Sequence, residues 1–216
     1  MSELPILYQI AIWSIPVLFA VTLHEVGHGW AANKLGDSTA KDMGRLTVNP
    51  LKHIDPVGTV VVPLITFFLG GFIFGWAKPV PVNWGKLRNT KRDIALVALA
   101  GPAANLIMIV FWLVIAKLFY GSAEQGNFVA NLFTLMAWAG IVINSLLMIL
   151  NLFPLPPLDG SRVVFSLLPT QLAYRYSKIE PYGLIILVVL LVSGVLFRII
   201  GPIISRVEHL MYTLIT

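Results

Sequence analysis

The chain has 216 residues, of which 57% are hydrophobic and only 12% are charged. Soluble domains carry about 25% charged residues, so this composition excludes an ordinary soluble protein, and the same apolar content excludes a disordered one. The 15 Lys and Arg residues exceed the 10 Asp and Glu residues. In so apolar a chain we read this excess as a record of membrane orientation and not of nucleic-acid binding. The absence of cysteine means that nitrogen and oxygen must hold any bound metal.

Five long apolar runs predict an all-α integral membrane protein. Each has about 20 residues or more, enough to cross a hydrocarbon core roughly 30 Å thick. A short amphipathic stretch follows the fourth run, and the tail after Gly201 is expected to be an interfacial helix. We expect a single domain over residues 1–216, a bundle of about five or six transmembrane or re-entrant segments. The runs cover residues 5–34, 57–77, 94–116, 128–153 and 181–200, and the amphipathic stretch covers 159–168.

The distribution of basic residues indicates how these runs cross the membrane. The loops 34–55, 78–92 and 154–180 hold 12 of the 15 Lys and Arg residues. A simple zigzag would place the first two loops on opposite sides, against the tendency of basic loops to be cytoplasmic. We therefore favour a re-entrant hairpin for 57–77, with a plain spanning helix as the alternative. The chain is then a multi-pass cell-membrane protein with its N-terminus outside.

The sequence GWAKPVPVNW at 75–84 alternates apolar residues with prolines and predicts a small extended hairpin element. Pro79 and Pro81 lack N–H donors, which suits the edge of a sheet. Such an edge at 78–83 could pair with an extended peptide by β-strand addition.

The motif His24-Glu25-Val26-Gly27-His28 is the strongest chemical signal in the chain. Residues four apart share a helix face, so both imidazoles can bind one metal ion, while Glu25 can reach a metal-bound water without being a ligand. His24 lies roughly 28 Å along the helix from Pro5, in or just under the inner leaflet. Ionisable residues in apolar segments are costly and usually functional, which argues against a merely interfacial pair of histidines.

A catalytic zinc ion needs a third protein ligand, and the residues leave several candidates. They are His53, His209 and five aspartates, of which four lie in basic loops. Asp159 differs because it ends the run NLFPLPPLDG, whose prolines stop an apolar helix and present the carboxylate from rigid backbone. Capping of the next helix is an equally reasonable role for Asp159.

Three motifs in order, HExxH, Gly101-Pro102-Ala103-Ala104-Asn105 and NLFPLPPLDG, resemble those of the site-2 protease family of intramembrane zinc metalloproteases. The resemblance implies a three-helix catalytic core, here about 6–34, 92–118 and 128–168. It implies that His24, His28 and Asp159 bind one Zn²⁺ per chain, that Glu25 is the general base, and that Asn151 helps to stabilise the oxyanion. We expect no PDZ or CBS domain within these residues.

The resemblance implies an endopeptidase that cleaves transmembrane protein substrates within the bilayer. Its site would lie near the cytoplasmic side, nucleic acid would not be a partner, and a separate membrane protein could regulate it. The alternatives are a CAAX-type peptidase, for which no suitably placed glutamate is available, and a non-proteolytic metal-binding protein or transporter. For Asn105 and Asn144 we favour interhelical hydrogen bonding over a direct catalytic part. For His53, in a loop, we favour a solvated position over one that lines the entrance to the site.

Overall fold

The computed structural model describes residues 5–70 and 75–215, and within these ranges it contains helices and no β-strand. An all-α fold is thus confirmed. The helices are α1 (Ile6–Leu35), α2 (Thr39–Asp42), α3 (Val62–Gly70), α4 (Thr90–Glu124), α5 (Phe128–Asn151), α6 (Asp159–Leu167), α7 (Thr170–Ser177), α8 (Glu180–Val192) and α9 (Val195–Ile215). A π-helical turn at Pro56–Val61 leads into α3, and 3₁₀ turns occupy Pro50–His53 and Trp84–Lys86.

Three of the described helices, α1, α4 and α5, are long and apolar enough to cross a membrane, and the bent pair of α8 and α9 would make a fourth span. The three pack directly on one another around a core that includes Ile12, Ile109 and Ile141. Gly140 of α5 faces the indole of Trp112 on α4, and a Cβ at this glycine would lie 2.4 Å from the ring. Small residues at such crossings let membrane helices approach closely.

Contacts between the helices distinguish two ends of the bundle. The rings of Tyr8 on α1 and Phe128 on α5 lie 5.9 Å apart at what we call the far end. The second half of α1 meets the first half of α4 through a hydrogen bond between His24 and Asn105, at what we call the site end. α1 and α5 therefore run from the far end to the site end, and α4 runs back between them.

The second apolar run begins and returns at the same end of the bundle. The N–H of Trp76 donates to Gly58 O over 3.0 Å, and the N–H of Lys78 donates to His53 O over 2.9 Å. A Cβ on Gly58 would overlap the Trp76 indole, so glycine is needed for this approach. Such adjoining ends are what the re-entrant interpretation of 57–77 predicts. Residues 71–74 lie outside the described residues, and 75–83 has no regular secondary structure.

The last apolar run is divided differently from the sequence-based prediction of a span at 181–200 and an interfacial tail. Gly194, with φ of +72°, ends the first helix, and α8 and α9 meet at 73°. Leu196 of α9 packs in the cluster around Leu158 at the site end, whereas Ile215 packs in the cluster around Trp112. α9 thus runs beside α5 from the site end toward the far end. The prediction missed the break because glycine in an apolar run is not by itself a stop signal.

Candidate metal centre

The structure brings His24, His28 and Asp159 together at the site end. The two histidines lie one turn apart on α1, and Asp159 is the first residue of α6. Asp159 Oδ2 is 3.2 Å from His24 Nε2 and 3.3 Å from His28 Nε2, and the two Nε2 atoms are 3.1 Å apart. One ligand atom from each residue lies within 4.8 Å of the others. This is the only such group of three among the residues that the structure describes.

The protonation of the two imidazoles follows from what their other nitrogens face. His28 Nδ1 lies 2.7 Å from Val97 O, a carbonyl that can only accept, so Nδ1 carries the hydrogen. His24 Nδ1 lies 2.7 Å from Asn105 Oδ1 and donates to it in the same way. When the imidazole is neutral and Nδ1 carries the hydrogen, Nε2 has no hydrogen and presents a lone pair. Both lone pairs point toward Asp159.

The chemistry of this set of atoms fits a divalent cation. Asp159 Oδ2 is buried, and no hydrogen bond satisfies it despite the two imidazoles nearby. Two nitrogen lone pairs and a carboxylate oxygen repel one another unless a positive charge lies between them. Two imidazoles and one carboxylate, with no thiolate, are a ligand set used by catalytic zinc, which keeps a further position open for water.

Close contacts with glycines position the side chains of this group. A Cβ on Gly101 of α4 would lie 2.3 Å from His28 Nε2 and 2.7 Å from His24 Cε1, so only glycine leaves room for both imidazoles. A Cβ on Gly160 would lie 2.2 Å from Leu152 O, where α6 turns back against the end of α5. Asp159 is not the N-cap of α6, since Leu158 occupies that position without a side-chain cap. The structure thus offers no support for the capping alternative.

A buried chain of hydrogen bonds supports His24 from behind. Asn105 accepts from His24 Nδ1, and its Nδ2 donates to Asn144 Oδ1 over 2.9 Å and to Ala20 O over 3.2 Å. Asn144 Nδ2 in turn donates to Gly140 O. The predicted interhelical hydrogen bonding of Asn105 and Asn144 is confirmed, but the contact with His24 was not foreseen. The sequence feature that could have indicated this contact is the position of Asn105, one helical turn after Gly101.

Asn105→Ala is expected to weaken zinc binding about 10- to 100-fold, because loss of an outer partner frees a metal-binding imidazole to reorient. Asn144→Ala, one step further from the imidazole, should weaken it less, and Asn131→Ala, at an exposed position of α5, should leave it unchanged. Competition titration with a zinc chelator measures all three. Equal affinities for Asn105→Ala and the unmodified protein would contradict the role of Asn105.

The other predicted residues, Glu25, Asn151 and His53, each form a hydrogen bond with the backbone. Glu25 is half-buried beside the two histidines, and its Oε2 accepts a hydrogen bond from Val80 N over 2.7 Å. Asn151 is half-buried near the end of α5, and its Nδ2 donates to Leu147 O of the same helix. The prediction that His53 is solvated was wrong. It is 2% exposed, and its Nε2 binds Thr47 O, which folds the loop onto itself.

Comparisons with known proteins show the family of this chain. The family model of peptidase family M50 matches residues 114–194, a range that contains Asn151 and Asp159. The Bacillus subtilis protein named "Putative zinc metalloprotease YwhC" is 37% identical over 194 residues, which cover 88% of this chain and 84% of that relative.

The Mycolicibacterium smegmatis protein named "Putative zinc metalloprotease Rip2" is 33% identical over 186 residues, 84% of this chain and 66% of the relative. No solved structure matches the chain. The identity to the Bacillus protein over most of both chains, together with the M50 match, shows that this chain belongs to peptidase family M50, the site-2 protease family of zinc metalloproteases.

Proposed function

We propose that the chain is an intramembrane endopeptidase that cleaves transmembrane protein substrates, with His24, His28 and Asp159 as the zinc ligands. The observation that carries this proposal is the position of the ligand group. Both histidines belong to a 30-residue apolar helix that packs against two other helices of spanning length. A hydrolytic centre embedded in such a bundle favours peptide bonds that lie at membrane depth.

Each residue of the proposed site has its own role in peptide hydrolysis. Zinc, when bound, supplies Lewis acidity toward water and toward the scissile carbonyl. Glu25 is the general base: it takes a proton from the attacking water and returns it to the nitrogen of the leaving amine. The Asn151 amide is the proposed donor to the developing oxyanion. In this structure that amide donates to Leu147 O, so its catalytic part requires a rotation of the side chain.

The bundle also supports an orientation in the cell membrane. The three basic loops meet at the site end: Lys78 N binds His53 O, and Lys91 Nζ binds Leu168 O over 2.9 Å. Since basic loops collect on the cytoplasmic side, we place the site near the cytoplasm and the N-terminus outside. The catalytic core is residues 6–34, 92–118 and 128–168, within one domain. Regulation by a separate membrane protein belongs to the same proposal.

Reconstitution in lipid vesicles tests this function. The protein is stripped of metal with a chelator, loaded with one equivalent of zinc, and mixed with a peptide that contains a transmembrane segment. We expect the zinc-loaded protein to cut within the transmembrane segment, and the stripped protein to be inactive until zinc is returned. A soluble peptide with the same flanking sequence should remain intact. Zinc binding without cleavage of any transmembrane peptide would favour the non-proteolytic alternative, and cleavage of the soluble peptide alone would exclude intramembrane specificity.

A further inference from the structure

Segment 78–83 lies beside the second half of α1 and donates its one central amide to the proposed general base. Pro79 and Pro81 have no N–H, so Val80 provides the only backbone donor between Lys78 and Val82. That N–H lies 2.7 Å from Glu25 Oε2. A hydrogen bond from an amide to a carboxylate is short and comparatively strong. One oxygen of the Glu25 carboxylate is therefore held in place by this amide.

Arg45 holds the backbone that carries this amide. Its Nη2 donates to Lys78 O over 3.0 Å and to Pro79 O over 3.3 Å, the two carbonyls immediately before Val80. The same stretch is held from its other side by the bond from Lys78 N to His53 O. Arg45 is half-buried, and its Nε is buried without a hydrogen-bond partner. The guanidinium is therefore partly desolvated in the position from which Nη2 donates to the two carbonyls.

We propose that Arg45 is a positioning residue for catalysis, which holds the Val80 amide against the Glu25 carboxylate through the carbonyls of residues 78 and 79. The inference rests on the proposed function, in which Glu25 is the general base. It goes beyond that function because neither Arg45 nor Val80 belongs to the metal centre or to the three motifs.

Packing against α1 independently places Val80 at this position. Its side chain is 6% exposed and lies over Gly29, four residues after Glu25 on the same helix face. A Cβ on Gly29 would be 2.9 Å from Val80 Cγ1, so an alanine there must push the valine outward. The absence of a side chain at residue 29 thus sets how closely the amide approaches Glu25.

Asp37 secures the other end of the segment. Its Oδ2 accepts from Asn83 N over 2.6 Å, and its Oδ1 accepts from Thr39 N over 3.0 Å. Burial opposes the charge of Asp37, but a hydrogen bond from the Thr39 hydroxyl, the two backbone bonds and the nearby Lys86 together hold its pKa below the ordinary value. The carboxylate is therefore a charged acceptor at neutral pH. With both ends held, a small displacement of residues 78–79 is transmitted directly to Val80.

The first test measures the contact itself. The sequence contains four Pro-Val pairs, at 16–17, 56–57, 79–80 and 81–82. Labelling proline with ¹³C at the carbonyl and valine with ¹⁵N therefore leaves four amide signals in an NMR spectrum of the detergent-solubilised protein. We expect Arg45→Ala and Glu25→Gln each to move the Val80 signal upfield and to speed its hydrogen exchange. Lys52→Ala removes an exposed basic residue of the same loop and should leave the signal unchanged.

The second test measures its consequence for the reaction. Arg45→Ala should keep its zinc and its KM for a transmembrane peptide within about twofold, while kcat falls about 10- to 100-fold, because a misplacement of about 1 Å can cost about 100-fold. Arg45→Lys retains a donor to these carbonyls and should recover part of the loss. Lys52→Ala should have normal kcat.

An unchanged Val80 signal in Arg45→Ala would overturn the proposal, as would a kcat unaffected by a displaced amide. A loss of kcat in which the Val80 signal stays in place would also overturn it, since Arg45 would then act elsewhere. If Arg45→Ala does not fold, Gly29→Ala disturbs the same contact from the opposite side and must give the same two changes. An unmodified protein that cleaves nothing would refute the proposed function, whereas the NMR result would still decide whether Arg45 positions the amide.

Discussion

Asp159→Asn is expected to abolish both zinc binding and peptide cleavage. The substitution keeps the shape of the side chain but removes the negative charge of the one anionic group among the three that could hold the cation. Loss of an outer partner of a metal ligand costs about 10- to 100-fold in affinity, so loss of a ligand should cost more than about 100-fold. Metal analysis of the purified protein, followed by a cleavage assay with added zinc, measures the two effects.

Asp42→Asn is the matched control, since Asp42 is an exposed carboxylate at the same end of the bundle. It should retain zinc and activity. A variant Asp159→Asn that keeps one zinc per chain would show that the third ligand is a different residue. Loss of zinc together with loss of the folded state would be recognised from thermal unfolding, and Asp159→Glu, which keeps the charge, should then recover folding and part of the zinc affinity.

Glu25→Gln is expected to separate metal binding from catalysis. Glutamine has the size of glutamate and can still accept the hydrogen bond from Val80 N through its Oε1, so the helix and the metal centre should remain intact. It cannot take a proton from water. General acid–base catalysis contributes typically about 10²- to 10⁴-fold, and kcat should fall by this factor.

The measurement pairs zinc content with single-turnover cleavage of a transmembrane peptide. Glu124→Gln, an exposed glutamate at the end of α4, is the control and should behave as the unmodified protein does. Equal cleavage by Glu25→Gln and the control would exclude Glu25 as the base. A metal-free Glu25→Gln would instead make Glu25 part of the metal centre.

The parts of the site that could be predicted are those that depend on spacing along one helix. His24 and His28 are four residues apart, so any helix through them places both imidazoles on one face. For Asp159 the residues alone left a choice between a ligand and a cap. The resemblance to the site-2 protease family indicated the ligand, and the structure places its carboxylate beside both imidazoles. The extents of α1 and α5 likewise followed closely from their apolar runs.

Contacts between distant segments could not be predicted, because they depend on how each helix rotates about its own axis. The hydrogen bond between Asn105 and His24 joins α4 to α1, and the one between Val80 and Glu25 joins a proline-rich loop to α1. The break at Gly194 escaped prediction for a different reason. Glycine is common in membrane helices, and only its positive φ distinguishes a helix end from a packing site.

The second apolar run forms a loop whose two ends are joined by backbone hydrogen bonds. The hydrogen bonds from Trp76 N to Gly58 O and from Lys78 N to His53 O join the chain that enters the loop to the chain that leaves it. Both bonds come before Val80 in the sequence. The number of residues between positions 59 and 75 therefore does not enter the distance between Val80 and Glu25. A change in the length of this loop is therefore expected to leave the hydrogen bond between Val80 N and Glu25 Oε2 in place.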